Sequence, residues 1–408
     1  MSESVFAGKA KDLYKTLCQT EWNATVAGII VALLSILIMA WWRPWGAVGA
    51  IRNWGDWLVY YSGLWDSLEY WDADTPKNIL YSSGSVIGIG FIAGAFISAC
   101  LGNDFAIRIP PFLEMLKGIV AGILMGVGST FAGGCNVGGM YNAIGNLAAN
   151  GFTMWAGLVA GVLLGLKYIY WEMEHITWGS GGAKTIDFPY PLKIVVGIGA
   201  FVALIYGSYF YAGAEGDYVA SLSGILIISA GLGYTMQRGR WCMVQGFREP
   251  HMTGDCTLAK SVALSIAIVA VGAAVLKYAV PMRADGEAVL APINYVRGTF
   301  GWGSLVGGFI FGFGAMLAGG CGSGTLWRVG EGQIKLWLVV PFFAVSNSLL
   351  TGYFKDNDFE ADGKLGKFVY LPDVLGYGGT LFLIAIIMMA WYLIVQWNED
   401  TGKLIVEM

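Results

Sequence analysis

The residues of this sequence best suited to chemistry are two cysteines that each follow the triplet Ala–Gly–Gly. They are Cys135 and Cys321. Glycine lets a chain leave helical geometry and lets backbone N–H groups approach a ligand. A thiol donates weakly to a soft acceptor such as sulfur, and an ionised thiol is a nucleophile. The pattern therefore predicts two thiols that meet a ligand, together with their neighbours Gly133, Gly134, Asn136, Gly319, Gly320 and Gly322.

Helix packing is the alternative explanation of these motifs. Cysteine is a common apolar filler of buried helices, and glycines four residues apart let membrane helices approach closely. Packing does not explain why the same cysteine ends both motifs. For Cys18, Cys100 and Cys256, which lack the glycine context, packing is the preferred interpretation.

A third candidate thiol, Cys242, lies in the most basic loop of the chain, QRGRWCMVQGFRE. Arginines beside a thiol in the membrane attract anions, so we include Arg238, Arg240 and Arg248 around the candidate site. The alternative is that these arginines only set the membrane topology.

Two charged residues that follow the second motif, Arg328 and Glu331, are further candidates around the site. Both lie ten residues or fewer beyond Cys321. The alternative is that they pair with each other at a helix end.

Metal and cofactor sites are not predicted. The six cysteines include no CxxC pair, and the histidines are His175 and His251. Zinc and iron–sulfur sites need clustered ligands, so we expect no metal and no cofactor. The sequence also lacks a nucleotide-binding P-loop, which argues against pumping driven by ATP within this chain.

The two motifs belong to a longer internal repeat. Residues 121–138 and 307–324 superpose without a gap at an offset of 186 residues, which aligns glycines as well as the cysteines. Many transporters contain inverted repeats that place a site at the midplane of the membrane. We therefore divide the chain into a tail at 1–22 and two pseudo-symmetric halves, expected to be inverted, at 23–192 and 193–400.

The elements that carry these residues are predicted to be membrane-spanning helices. The chain of 408 residues is 56% hydrophobic and 13% charged, with a mean hydropathy of +0.61. A hydrocarbon core about 30 Å thick requires about 20 apolar residues in a helix. Stretches of this kind lie at 23–43, 82–101, 115–132, 152–171, 193–212, 219–236, 259–280, 302–320, 335–353 and 374–397. The sequence thus predicts an all-α polytopic protein of the lipid bilayer, with about nine or ten spanning helices and short broken helices.

Basic residues near the ends of the spans predict the orientation. No cleavable signal peptide is visible, and both the N-terminal tail and the segment 237–260 are rich in Lys and Arg. We expect these segments, and both termini, to face the cytoplasm from the inner membrane. The net charge of −4 gives no reason to expect nucleic acid as a partner.

Three separated motifs resemble the YeeE/YedE family of sulfur-transport membrane proteins. They are the AGGC repeats, the segment RWCMVQGFRE around Cys242, and the element GGCGSGTLWRVGEGQ. The resemblance covers about residues 82–353, and the chain departs from the family in long loops at 44–80, 172–192 and 281–298. Family members are importers of thiosulfate or proteins associated with selenium metabolism. The resemblance implies that Cys135, Cys242 and Cys321 pass the anion inward by S–H···S contacts without a covalent step.

Two other functions are compatible with the same residues. In a membrane sulfurtransferase subunit, Cys242 would form a persulfide and pass sulfur to a cytoplasmic carrier protein of the TusA type. A structural subunit of a larger complex is a third interpretation. The leading hypothesis remains transport of thiosulfate or a related small sulfur or selenium species.

Overall fold

The protein is a bundle of membrane-spanning helices. The structure, a computed structural model, describes residues 5–65, 75–176, 182–283, 295–359 and 363–406. In these residues ten helical segments are long and apolar enough to cross a membrane, which confirms the predicted spans. They are Ala24–Trp41, Ser83–Leu101, Phe112–Gly145, Asn150–His175, Tyr190–Ala212, Asp217–Met252, Thr257–Tyr278, Trp302–Glu331, Ile334–Asp356 and Leu371–Thr401. The first four residues of the predicted tail lie outside the described residues.

Several spans are built from more than one helix. The elements in chain order are α1 (Val5–Tyr14), α2 (Ala24–Trp41), α3 (Val48–Tyr61), α4 (Ser83–Leu101), β1 (Ala106–Ile109), α5 (Phe112–Phe131), α6 (Asn142–Gly145), α7 (Asn150–His175), β2 (Lys184–Asp187), α8 (Tyr190–Ala212), α9 (Asp217–Arg238), α10 (Met243–Met252), α11 (Thr257–Arg283), α12 (Trp302–Ala318), α13 (Gly322–Glu331), α14 (Ile334–Asp356) and α15 (Leu371–Thr401). A π-helical turn, Asn136–Tyr141, precedes α6.

Glycines with positive φ end the two motif helices. Gly133 follows α5 with φ 68°, and Gly319 follows α12 with φ 80°. A side chain strains this backbone conformation, and glycine adopts it freely. Each chain then continues through an extended cysteine, with φ and ψ of −75° and −178° at Cys135 and of −75° and −177° at Cys321. The same local sequence therefore makes the same helix break twice.

Glycines also set the contacts of the motif helices. A methyl group added at Gly122 of α5 would lie 2.6 Å from the Val339 carbonyl oxygen of α14. One added at Gly308 of α12, the aligned position, would lie 2.4 Å from the Met154 carbonyl oxygen of α7. Such distances exclude any side chain, so these helix backbones pack in direct contact. The equivalence agrees with the repeat, whose extension to whole halves of the chain stays a prediction.

The two motif helices run antiparallel. A methyl group at Gly314 would lie 3.1 Å from the Ala121 carbonyl oxygen, whereas one at Gly307 would lie 2.5 Å from the Ala132 nitrogen. The start of α12 therefore contacts the end of α5, and later residues of α12 contact earlier residues of α5. After each of the two glycine breaks the backbone turns back into the bundle. Cys135 and Cys321 therefore lie close to each other in its interior.

The expectation of a loop at 44–80 is wrong for part of that segment. Residues Val48–Tyr61 form α3, which packs so closely that methyl groups at Gly55 and Gly84 would lie 2.1 Å from the Ala344 carbonyl oxygen and 2.6 Å from the Gly49 carbonyl oxygen. The apolar face of this short helix stabilises its buried position between α4 and α14. Positions 66–74, 177–181 and 284–294 of the three predicted loops lie outside the described residues.

Both ends of the described chain lie at the same end of the bundle. The Arg238 guanidinium donates to the Cys18 carbonyl oxygen, and the Val406 N–H donates to the His251 carbonyl oxygen at 2.8 Å. The short ladder of β1 with antiparallel β2 connects α5 and α8 at this end. An even number of spans requires this arrangement, while the assignment of this end to the cytoplasm stays a prediction.

Candidate functional site

The fold brings the three predicted thiols together inside the bundle. Cys135, Cys242 and Cys321 are at most 1% exposed. The Sγ atoms of Cys242 and Cys321 are 3.5 Å apart, a distance at which either thiol can donate to the other. Cys135 lies across the start of α13, because a methyl group added at Gly322 would be 2.9 Å from its Sγ. The three thiols therefore form one cluster around the first turn of α13.

Helix N-termini surround two of these sulfurs. The Gly324 N–H donates to the Cys321 Sγ at 3.3 Å, so that the thiol caps α13. The start of α3 lies near Cys135, because a methyl group added at Gly322 would be 2.9 Å from the Cys135 Sγ and 3.7 Å from the Ala47 Cβ. Helix N-termini carry a partial positive charge. The thiols therefore stand where backbone dipoles favour an anion.

At three of the glycines beside the cysteines no space is left for a side chain, whereas a methyl group at Gly319 would meet no atom within 4 Å. A methyl group at Gly134 would lie 2.8 Å from the Gly139 nitrogen, and one at Gly320 would lie 2.8 Å from the Arg328 Nη1. At Gly133 it would lie 2.2 Å from the Arg297 carbonyl oxygen. Gly133, Gly134 and Gly320 thus form part of the wall around the thiols.

One further glycine of the wall was missed from the sequence. A methyl group at Gly324 would lie 2.9 Å from the Cys242 Sγ and 3.2 Å from the Cys321 Sγ. The signal was available, since each motif has a glycine three residues after its cysteine, Gly138 and Gly324. The surroundings of the two glycines differ, because a methyl group at Gly138 would meet no atom within 4 Å.

A basic cavity of about 640 Å³ leads to Cys135. Of its described lining residues, Asp56 is the one carboxylate. The cationic residues that line it are Arg43, Arg52, Lys77, Arg297 and Lys355. The sequence does not predict this cavity, because its cations come from separate segments and none belongs to a motif. It lies at the end of the bundle opposite the described chain ends, since Arg43 follows the far end of α2.

The carboxylate of the cavity is held by two neighbours. The Ser348 hydroxyl donates to the Asp56 Oδ1 at 2.5 Å, and Arg52 lies close to the same carboxylate. Burial raises the pKa of Asp56 above its ordinary value, and it outweighs the opposing effects of Ser348 and Arg52. The charge of the cavity therefore depends on pH.

A network of ion pairs closes the other end of the bundle. Arg238 pairs with Asp104, while Arg240 donates to Glu331 and lies 3.7 Å from Asp104. Arg108 adds a contact of 3.6 Å to Glu331, whose side chain is 1% exposed. Two of the predicted arginines thus neutralise carboxylates, the partly exposed Asp104 and the buried Glu331, which is a structural task beside the thiol cluster.

The suggested pair of Arg328 with Glu331 is wrong. Glu331 bonds instead to Arg240 and Arg108, which approach it from other elements. The Arg328 guanidinium stacks on the Trp327 ring at 4.4 Å from the ring centroid. In sequence the two residues are three positions apart, and only the tertiary contacts of α13 decide which partner each takes.

The remaining candidates lie apart from the thiol cluster. Arg248 pairs with its neighbour Glu249. Cys18 accepts from the Tyr234 hydroxyl at 3.4 Å, and Cys256 lies 3.9 Å from the Asn398 Nδ2. In the described part of the chain, no group of three or more His, Cys, Asp or Glu side chains could hold a metal ion.

A sequence model of the family described as sulphur transport matches residues 2–164 and 238–407. The chain belongs to the sulphur transport family. The match extends beyond the resemblance at 82–353 in both directions and omits 165–237. All three clustered cysteines lie within the matched segments.

Three curated relatives of this sulphur transport protein are informative. The probable transporter YedE of Escherichia coli (strain K12) is 23% identical over 370 residues, which are 87% of each chain. The thiosulfate transporter TsuA of the same organism is 36% identical over 130 residues, which are 32% of this chain and 34% of the relative. TsuA of Spirochaeta thermophila is 32% identical over 120 residues, 29% of this chain and 33% of the relative. With ten spans among its described residues, the chain is a multi-pass membrane transporter of a sulfur species.

Proposed function

We propose that this transporter imports thiosulfate through a path lined by Cys135, Cys321 and Cys242. The observation that carries the proposal is the position of Cys135, which lies in the wall of the basic cavity and beside the start of α13. The Cys242 and Cys321 thiols lie on the same helix turn. The order of the path is therefore cavity, Cys135, and then the thiol pair.

The chemistry of the path matches an anion with a hard and a soft end. A divalent oxyanion loses its hydration when it enters a region of low dielectric, and an unpaired charge there costs several kcal/mol or more. The cations of the cavity and the backbone N–H groups near Cys135 stabilise the oxygens. The thiols contact the terminal sulfur, and weak contacts at successive positions let the ion leave again. Sulfate offers the thiols no soft atom, which gives the path its selectivity.

The known transporters support the choice of substrate. Relatives from two organisms that match about 30% of the chain are named thiosulfate transporters. The direction of transport follows from the predicted orientation, since a cavity opposite cytoplasmic termini opens outward. A cytoplasmic sulfur-carrier protein as the recipient stays a prediction.

Uptake by purified protein tests this function. The chain is reconstituted in liposomes, and entry of radiolabelled thiosulfate is measured with sulfate, sulfite or selenite as competitors. We expect saturable uptake that protein-free liposomes lack and that an excess of sulfate leaves nearly unchanged. Uptake no faster than in protein-free liposomes contradicts the proposal.

The sulfurtransferase hypothesis is favoured by one contact, the 3.5 Å separation of the Cys242 and Cys321 sulfurs. A thiolate of Cys242 would take the terminal sulfur of thiosulfate, release sulfite and hold the sulfur as a persulfide beside Cys321 until a carrier protein accepts it. Intact-protein mass spectrometry after exposure to thiosulfate separates the two functions. Mass increased by one sulfur atom supports the enzyme, whereas unmodified thiols with active uptake support the transporter.

A further inference from the structure

Arg328 has an arrangement that structural ion pairing does not explain. Its Nη1 atom is buried and has no hydrogen-bond partner within the described ranges. The nearby carboxylates Glu331 and Asp104 are occupied by other arginines. A buried donor without a partner is costly, and the cost is recovered when a ligand supplies an acceptor.

The unpartnered nitrogen is close to the thiol pair. A methyl group added at Gly324 would lie 3.4 Å from the Arg328 Nη1, 2.9 Å from the Cys242 Sγ and 3.2 Å from the Cys321 Sγ. One added at Gly320 would lie 2.8 Å from the same nitrogen. Two sulfurs and one cationic nitrogen thus converge on a single glycine of α13.

Other donors of the same helix also lack partners. The Trp327 Nε1 and the Thr325 Oγ1 are buried, and neither forms a hydrogen bond within the described ranges. The aromatic ring of Trp327 holds the guanidinium of Arg328 against it. The first turns of α13 therefore contain unpartnered donors, while the one carboxylate of this helix, Glu331, is neutralised by arginines of other elements.

We propose that Arg328 binds the oxygen end of the transported anion when the sulfur end contacts Cys242 and Cys321. The inference rests on the proposed function and adds a second anion subsite beyond Cys135. A guanidinium presents a planar pair of N–H donors to an oxyanion. Arg328 accordingly makes this subsite specific for an anionic sulfur species and excludes neutral ones.

The concentration dependence of uptake tests the subsite. Arg328→Gln removes the charge, and Arg328→Lys keeps the charge without the planar pair of donors. We expect the apparent KM for thiosulfate to rise about tenfold to a hundredfold in Arg328→Gln and less in Arg328→Lys. Lys260→Gln is the control. It removes a cation that pairs with Glu399 at the end of the bundle where the described chain ends lie, and it should leave KM unchanged.

Ligand-induced thermal stabilisation gives a second measurement, independent of transport. Thiosulfate should raise the Tm of the detergent-solubilised wild type, with a larger thiosulfate concentration needed for Arg328→Gln. If Arg328→Gln does not accumulate, Arg328→Lys decides: a higher KM supports the subsite, and a wild-type KM overturns it. An unchanged KM and Tm response in Arg328→Gln overturns the inference alone, whereas a wild type that neither transports nor is stabilised by thiosulfate overturns the proposed function as well.

Discussion

The side-chain oxygen of Asn136 accepts a hydrogen bond from the backbone N–H of Gly322 at 3.2 Å. The two residues are 186 positions apart, which is the offset that aligns the AGGC motifs. In the predicted inverted repeat, such equivalent residues would meet at the axis that relates the two halves. The Asn136 Nδ2 is buried and has no partner among the described residues, so it offers a donor at this place.

The thiols are expected to be required for transport rather than for folding. Cys135→Ser and Cys321→Ser preserve size but replace a soft sulfur with a hard oxygen, which pairs poorly with a sulfur acceptor. We expect each variant to lose about tenfold or more of thiosulfate uptake, with wild-type yield and size-exclusion profile. Cys18→Ser is the matched control, and it should be nearly silent. Wild-type uptake by the double variant Cys135→Ala, Cys321→Ala would falsify the thiol path.

Two glycines at aligned positions should differ in their tolerance of a side chain. Gly324→Ala places a methyl group against the Cys242 and Cys321 sulfurs, whereas Gly138→Ala meets open space. We expect Gly324→Ala to lose most uptake and Gly138→Ala to retain most of it. The measurement is initial uptake normalised to reconstituted protein. Equal activity of the two variants would contradict the close approach of α13 to the thiols.

Acidification should strengthen anion capture by the basic cavity. Because burial raises the pKa of Asp56, this carboxyl takes up a proton at a higher pH than an exposed Asp, and the cavity then gains positive charge. The apparent KM for thiosulfate should therefore fall as pH falls through the raised pKa, and Asp56→Asn should have the low KM at every pH. If KM still depends on pH in Asp56→Asn, another titrating group causes that dependence.

The same shift predicts the pH dependence of stability. A folded-state pKa above the unfolded value means that the folded protein binds more protons, so this contribution to stability is lost as pH rises through the folded pKa. Thermal unfolding of the wild type and of Asp56→Asn, measured across that range, should converge at low pH. The difference in Tm between them should grow in favour of the variant as pH rises.

Arg240 is expected to act mainly on stability. Its removal leaves Glu331 buried with the more distant Arg108, and breaking a pair between a partly exposed arginine and a buried carboxylate costs about 1–3 kcal/mol. Arg240→Gln should lower the Tm of the solubilised protein, and the double variant Arg240→Gln, Glu331→Gln should recover most of the loss. A lower affinity for thiosulfate with an unchanged Tm would instead place Arg240 in the substrate path.

The sequence allowed part of the thiol site to be predicted and few of the residues that surround it. The Ala–Gly–Gly–Cys motifs identified Cys135 and Cys321 because the glycines that break the helices are neighbours of the thiols along the chain. Gly324 was overlooked although it lies three residues from Cys321. Cys242 and Cys321 are in contact although they are 79 positions apart in the chain, and such a contact cannot be predicted from the residues around either cysteine.

Membrane class, span positions and helix breaks were determined by the sequence itself, because hydrophobic length and glycine conformation are properties of short segments. Tertiary structure alone decided that Glu331 bonds to Arg240 and leaves Arg328 beside the thiols. It also decided that α3, in a segment interpreted as a loop, supplies Arg52 to a basic cavity. The physical reason is that partner choice among buried charges depends on which helices pack against each other, and that packing is settled by contacts between residues far apart in the chain.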